Sequence, residues 1–237
     1  MKLKLLIGFS IFLFIVISCH SLLPSEKNIL RSEDGRSINL YAFVGKKISV
    51  TEFNPNAEKG TVEYGIDDET GDSIKIIHEK YIMDRAFLCK YQVIKNMFNH
   101  LENDTVEFTA YDHYGTLGFA ESDTVILYIS TSKDSSHYFH QKYQYDRVFK
   151  NKKGTYFTYP KFNGNEDSRY ANHNLTGFKI NFTSDKYEIS HLNKEVVKIY
   201  YPSKFYKIEN NFAIPKRGIY LEEQINYRLQ TTFKDFK

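Results

Sequence analysis

The residues of this chain that could take part in catalysis are one thiol and one acid–histidine pair. Cys89 is one of two cysteines, and a catalytic thiol requires a neighbouring base and an electropositive setting. It lies instead on the same alternating strand face as Phe87 and Tyr91, which predicts a packed core side chain. Asp112 and His113 could form a catalytic pair, but no nucleophile motif accompanies them. We therefore predict no catalytic residues, with a hydrolase site assembled from distant residues as an alternative.

Potential metal ligands are present, but their spacing does not suit a metal site. His137 and His140 are three residues apart on a predicted strand, where a period of two sends them to opposite faces. The acidic loop Asp67 to Asp72 offers carboxylates of the kind that Ca²⁺ takes, but its spacing differs from the EF-hand loop. Phosphate-binding loops, dinucleotide fingerprints and the HExxH motif are absent. We predict neither a metal nor a cofactor.

A concentration of aromatic side chains is the best candidate for a binding surface. Two aromatic-rich runs between Tyr138 and Tyr159 flank the turn Asn151 to Gly154, which predicts a hairpin. Because a strand alternates, one face of this hairpin would fill the core and the other would point outward. An exposed tyrosine gives a large contact area at low entropic cost. The candidate binding residues are Tyr138, Tyr143, Tyr145, Tyr156 and Tyr159.

The N-terminal segment carries an export signal. Lys2 and Lys4 precede the apolar run Leu5 to Ile17, which is shorter than the ~20 residues needed to span a bilayer and suits a signal peptide. The run ends in Val16-Ile17-Ser18-Cys19: an aliphatic residue, a variable one, a small one and a cysteine. This segment resembles the lipobox of bacterial lipoprotein precursors.

The resemblance implies a processing route and an address. Signal peptidase II would cleave after residue 18, and Cys19 would carry diacylglycerol and a further acyl chain such as palmitate, which anchors a protein stably. His20 stands where an aspartate would direct retention in the inner membrane. The implied location is the cell envelope, with the outer membrane favoured over the inner one if the cell has two membranes.

Beyond the signal peptide the sequence divides into a tether and one domain. Residues 19–36 are polar and lack periodicity, which predicts a lipidated flexible tether. From residue 37 to 237, short alternating segments separated by turns predict a single mainly β domain, either an antiparallel sandwich or a barrel-like sheet. Among these segments, Gly45 is expected to separate two strands, and Val196 to Tyr201 is expected to be a strand. At most one or two short helices are predicted, with Leu221 to Leu229 the clearest.

Charge and composition narrow the functional classes. Lys2 and Lys4 account for two of the three net positive charges, so little positive field remains to attract nucleic acid. With Cys19 lipidated, Cys89 has no disulfide partner. We predict a non-catalytic protein-binding module that acts on an envelope or secreted protein, such as an immunity or inhibitor protein or an envelope-assembly subunit. A carrier of lipid or another small apolar ligand is the alternative.

Overall fold

The computed structural model describes residues 29–31, 37–57, 60–78, 81–132, 137–181 and 185–234. The predicted signal peptide and Cys19 lie outside the described residues. The strands are β1 (Ile29–Arg31), β2 (Ser37–Phe53), β3 (Thr61–Ile66), β4 (Ser73–His78), β5 (Arg85–Phe98), β6 (Thr105–Asp112), β7 (Thr124–Ser132), β8 (Tyr138–Arg147), β9 (Phe149–Lys150), β10 (Tyr156–Thr158), β11 (Phe178–Lys179), β12 (Tyr187–Glu188), β13 (Tyr206–Glu209), β14 (Phe212–Pro215) and β15 (Arg217–Tyr220). The helices are α1 (Asn165–Asn174), α2 (Lys194–Tyr200) and α3 (Leu221–Gln230), with a 3₁₀ turn at Gly118–Glu121. The prediction of a mainly β, antiparallel fold is confirmed. The sequence predicted at most one or two short helices, and the structure has three.

Five strands form a closed barrel. The hydrogen-bonded order runs β2-β5-β6-β8-β7 and returns to β2, because β2 pairs with both β5 and β7. All of these pairings are antiparallel except that of β6 with β8. This is the strand order of the OB-fold, a Greek-key barrel that hosts many unrelated functions. Strand β1, within the segment predicted as a tether, pairs with the first residues of β2.

The long strand β2 closes the barrel by bending at a glycine. The sequence predicted two strands separated at Gly45, whereas the structure has one 17-residue strand whose register with β5 shifts there. A Cβ on Gly45 would lie 2.8 Å from the Phe43 ring and 3.1 Å from Tyr91. The glycine therefore bends the strand over a crowded interior instead of ending it, which is a common role of strand glycines in barrels.

The barrel has two packed faces. Its interior is an apolar cluster in which Cys89, Tyr91 and Phe108 are buried, with Phe119 of the 3₁₀ turn packed among them. The outer face of β2 and β7 is covered by α3, whose Ile225 packs with the apolar side chains of those strands. A separate buried cluster holds the C-terminal strands and the helices α1 and α2 together.

One predicted strand is a helix. The run Val196 to Tyr201 lies almost entirely in α2, and the Asn193 side chain caps this helix by accepting a hydrogen bond from the Val196 amide at 2.9 Å. The cap satisfies an amide that has no partner inside the helix. It outweighs the β-propensity of the two valines and the isoleucine, because such propensity depends strongly on context. Helix α3 was predicted and is confirmed.

A buried ion pair joins the barrel to α3. Arg228 Nη2 donates to Asp146 Oδ1 at 2.6 Å, and the two side chains are 3% and 1% exposed. Tyr128 Oη donates to the other carboxylate oxygen at 2.8 Å. Burial alone would raise the pKa of the Asp146 carboxyl, but the charge and hydrogen bonds of Arg228 hold it below its usual value.

No described helix is long and apolar enough to cross a membrane.

Candidate functional site

The five tyrosines predicted to form one binding face lie in different environments. Tyr143 and Tyr145 line one cavity of the barrel, and Tyr138 lines another. Tyr156 is half-buried against the cluster that contains α3, and Tyr159 is buried. The prediction that these tyrosines share one outward face is wrong, because β8 belongs to the barrel whereas β10 belongs to a separate four-stranded sheet with β9, β11 and β15. Only the short strands β9 and β10 pair across the predicted turn.

The residues considered for catalysis do not come together. Burial raises the pKa of the Cys89 thiol to about 12, so it is not a thiolate at neutral pH. His113 Nδ1 lies 3.2 Å from Asp84 Oδ1. Asp112 Oδ1 instead accepts the Tyr114 amide at 2.7 Å. Within the described part of the chain, no group of His, Cys, Asp and Glu side chains is placed to hold a metal ion.

An aromatic cavity opens where two barrel strands separate. Strands β6 and β8 pair at Phe108–Tyr138 and Thr109–Phe139 and diverge beyond these residues. The resulting cavity has a volume of about 470 Å³, within the usual range for small-molecule sites. Its aromatic lining consists of Tyr111, Tyr114, Phe119, His140, Tyr143 and Tyr145. We call it the aromatic cavity.

The floor of the aromatic cavity is buried and neutral. The rings of Phe119 and His140 are 4.5 Å apart between centroids, and both side chains are buried. His140 Nε2 lies 2.9 Å from the Gln144 carbonyl oxygen, so this nitrogen carries the proton. Burial lowers the pKa of His140 to about 4. The imidazole is therefore uncharged at neutral pH.

Backbone strain and a glycine set the walls of the aromatic cavity. Tyr143 has a φ of 64°, a left-handed conformation that is rare for a bulky side chain and costs of order 1–3 kcal/mol. Tyr145 lies directly over Gly118, where a Cβ would approach the tyrosine hydroxyl to 2.5 Å. The alternation of apolar and polar residues predicted neither feature, because both depend on tertiary pairing: the register of β8 with β7 shifts between His140 and Tyr145.

A two-stranded ribbon, made of β3 and β4, projects an apolar face. Val62 pairs with Ile77 across the ribbon, and Tyr64 and Ile66 follow on the same face, opposite Lys75 and Ser73. Tyr64 is 73% exposed and Ile66 is 70% exposed. Among the described elements, neither strand packs extensively against anything but the other. The alternating runs on both sides of the acidic loop are the sequence signal that could have identified this hairpin.

The tip of the ribbon is an ordered acidic turn. Asp67 Oδ1 accepts the amides of Glu69 at 2.8 Å and Thr70 at 3.1 Å. These backbone hydrogen bonds lower the pKa of Asp67. Gly71 has a φ of 75° and its amide bonds back to the Asp67 carbonyl at 2.8 Å. The Asp67 carboxylate is thus fixed within a turn whose four acidic residues make this end of the ribbon negatively charged.

Comparison with known proteins gives no relative from which function could be transferred. No protein-family model, curated protein or solved structure matches the chain. The aromatic cavity and the ribbon are therefore the two candidate functional sites.

Proposed function

We propose that this protein is a non-catalytic protein-binding module of the bacterial cell envelope, anchored to a membrane through acylated Cys19. The exposed apolar side chains of the ribbon are the main support for a binding function. Large apolar side chains cost free energy when water surrounds them, and a contiguous exposed group of them commonly marks an interaction site. Val62, Tyr64, Ile66 and Ile77 form such a group on one face.

The ribbon also favours a particular mode of binding. A two-stranded hairpin without a third strand is marginally stable in water, and β3 and β4 pair with no other described strand. A partner segment that adds as a third strand would complete the sheet through main-chain hydrogen bonds, while its alternate side chains cover the apolar face. Strand addition would therefore pair the free edge of the ribbon with a partner backbone and bury the apolar face at the same time.

Charge favours a protein over a lipid surface as the partner. The apolar face of the ribbon ends at the loop Asp67 to Asp72, which carries four carboxylates in six residues. Insertion into a bilayer would bring these charges against the anionic headgroups that are common in bacterial membranes, and the two repel. A protein segment with apolar residues and a basic residue opposite the tip is complementary to both parts of the ribbon.

Two biological roles fit this reading. An immunity or inhibitor lipoprotein would block a toxin or lytic enzyme that reaches the envelope, and an assembly subunit would dock a resident envelope protein. Both require a tether and an exposed binding surface, and neither requires catalytic residues. The partner's own chemistry would distinguish them. A location at the outer membrane, with the inner membrane as the alternative, forms part of the proposal.

The proposal can be tested with a photo-crosslinking amino acid placed at Tyr64 of the full-length protein in its native envelope. A control carries the same group at Tyr220, which is also exposed but lies on β15. The expected result is a defined cross-linked protein at position 64 that does not appear at position 220. That protein would then be purified and its affinity measured against matched variants.

The matched variants are Ile66→Lys on the ribbon and Ile208→Lys on β13. Both isoleucines are exposed strand residues, so each substitution should change the folding stability of the isolated protein little. Burial of an isoleucine in an interface is worth about 1.5–3 kcal/mol, so Ile66→Lys should weaken the complex by roughly tenfold to a hundredfold. Equal affinities for the two variants, or no specific cross-link at position 64, would refute the proposal.

The aromatic cavity supports a second function, the binding of a small apolar ligand. This function needs no contact with the ribbon, so the two sites can be tested separately. A carrier would hold its ligand in a largely apolar cavity that is formed in advance by the barrel.

A further inference from the structure

The aromatic cavity contains a combination of features that identifies a class of ligand. Its lining is mostly ring carbon, with hydroxyl groups on four tyrosines and one carboxylate, Asp112. Aromatic rings favour offset or edge-to-face contacts with other rings, which add about 0.5–1.5 kcal/mol beyond the area that they bury. A flat ring compound would make such contacts with several walls of the cavity at once.

The charges around the cavity select against an ionic ligand. The lining includes neither lysine nor arginine, so an anion inside the cavity would lose its hydration without a cationic side chain in direct contact. Lys142 Nζ lies 5.3 Å from the centre of the Tyr143 ring and already pairs with Asp84. Lys161 Nζ lies 4.6 Å from the centre of the Tyr145 ring. Because two ammonium groups already lie over these rings, and Asp112 Oδ1 already accepts the amides of Tyr114 and Thr116, a cationic ligand would also be disfavoured.

The strained residue is part of the same site. Tyr143 occupies the left-handed region while its ring lines the cavity and lies 6.4 Å from that of Tyr114. A glycine would adopt this backbone without strain, yet the position carries a large aromatic side chain. Strain of this kind concentrates at ligand sites, where the surrounding structure enforces it. The unusual backbone of a residue whose half-exposed ring lines the cavity therefore points to a role for that ring.

We propose that the aromatic cavity binds an uncharged, planar ring compound with a polar substituent. The ring would stack on Tyr143 and Tyr114 above the floor formed by Phe119 and His140. The substituent would exchange hydrogen bonds with the tyrosine hydroxyls. A purely aliphatic chain would leave those hydroxyls desolvated and unpaired, which costs free energy. This inference rests on the second proposed function, small-ligand binding in the aromatic cavity, and names its ligand class; it is independent of the ribbon.

The test uses 2-naphthol as the probe and titration calorimetry on the full-length protein in detergent. Every variant is measured in the same detergent, so that partitioning of the probe into micelles is the same throughout. Three comparison probes replace one property each: 2-naphthoate adds a negative charge, 1-decanol removes the ring, and maltose removes the aromatic character. We expect saturable binding of 2-naphthol and at least tenfold weaker binding of each comparison probe.

Two substitutions at one position separate the ring from the fold. Tyr143→Gly removes the ring and relieves the backbone strain, so its melting temperature controls for folding, and its affinity should fall at least tenfold. Tyr143→Phe keeps the ring and should retain affinity within about threefold, because one exposed hydroxyl contributes little. Tyr64→Ala on the ribbon is the distant control and should bind 2-naphthol as the unchanged protein does.

Four results would overturn the inference. These are no saturable binding of 2-naphthol, equal binding by Tyr143→Gly, equal binding of 2-naphthoate, and binding of 1-decanol or maltose that is as tight as that of 2-naphthol. The last would assign the cavity to an aliphatic or a saccharide ligand. Since Tyr64→Ala and Ile66→Lys lie outside the cavity, a failure here leaves the test of the ribbon unaffected.

Discussion

Replacement of Asp146 by asparagine is the perturbation whose consequence follows most directly from the structure. Asp146 on β8 and Arg228 on α3 are 82 residues apart in sequence and almost completely buried. The substitution keeps the size of the side chain but leaves the Arg228 guanidinium buried without its counter-charge. Breaking a buried pair in this way costs about 3–5 kcal/mol. For a domain of this size the melting temperature should fall by roughly 6–20 °C.

The assay is urea and thermal unfolding of the full-length protein in detergent, with two comparison variants. The exposed pair Lys95–Glu222 has an N–O distance of 2.6 Å and side chains that are 50% and 63% exposed. Glu222→Gln should therefore lower the free energy of unfolding by no more than about 1 kcal/mol. Combining Asp146→Asn with Arg228→Met should recover part of the stability, because no buried charge is then left unpaired.

The same pair predicts that the protein loses stability at acid pH, a decrease that we call the acid limb. Since Arg228 holds the pKa of Asp146 below its ordinary value of 3.8, the pair stabilises the fold fully above the unfolded pKa. That contribution is lost as the pH falls through the lower, folded pKa. Asp146→Asn should lack this limb. The role assigned to the pair would be refuted if Asp146→Asn lowered the free energy of unfolding by less than about 1 kcal/mol. It would also be refuted if the Asp146→Asn, Arg228→Met double variant were no more stable than Asp146→Asn.

Three further predictions concern single side chains. His140 has a folded pKa of about 4 against an ordinary value of 6.5, so the unfolded chain binds the proton first and stability should fall by roughly 3 kcal/mol between those pH values. His140→Gln should flatten urea midpoints between pH 6.5 and 4; an unchanged slope would contradict the assignment. Cys89 should react with a thiol reagent only after denaturant is added, as judged by mass, and rapid native labelling would show that it is accessible. Cys19→Ala should remove the acyl mass and release the protein from membranes, so an unaltered mass and location would exclude lipidation.

Local pattern was sufficient for several features of this protein. The alternation around Cys89 predicted a buried thiol, and the structure places it in the barrel interior. The spacing of Leu221 and Ile225 predicted the apolar stripe of α3, and both residues pack on the barrel. The turn at Asn151 to Gly154 also forms as predicted. Each of these depends on residues close in sequence, whose side-chain period or backbone preference is set locally.

The tertiary structure decided the features on which function depends. Closure of the barrel requires β2 to pair with β7 and β6 to pair with β8, and no local pattern specifies which distant strands meet. The aromatic cavity lies where β8 diverges from β6, and it brings together Tyr114 and Tyr143, which are 29 residues apart in sequence. The Asp146–Arg228 pair likewise forms only when α3 docks. The sequence predicted an export signal, which lies outside the described residues, and it predicted the inner-facing side chains of strands such as β5 and β6. The sites arose from long-range packing, because only the folded chain brings distant side chains together.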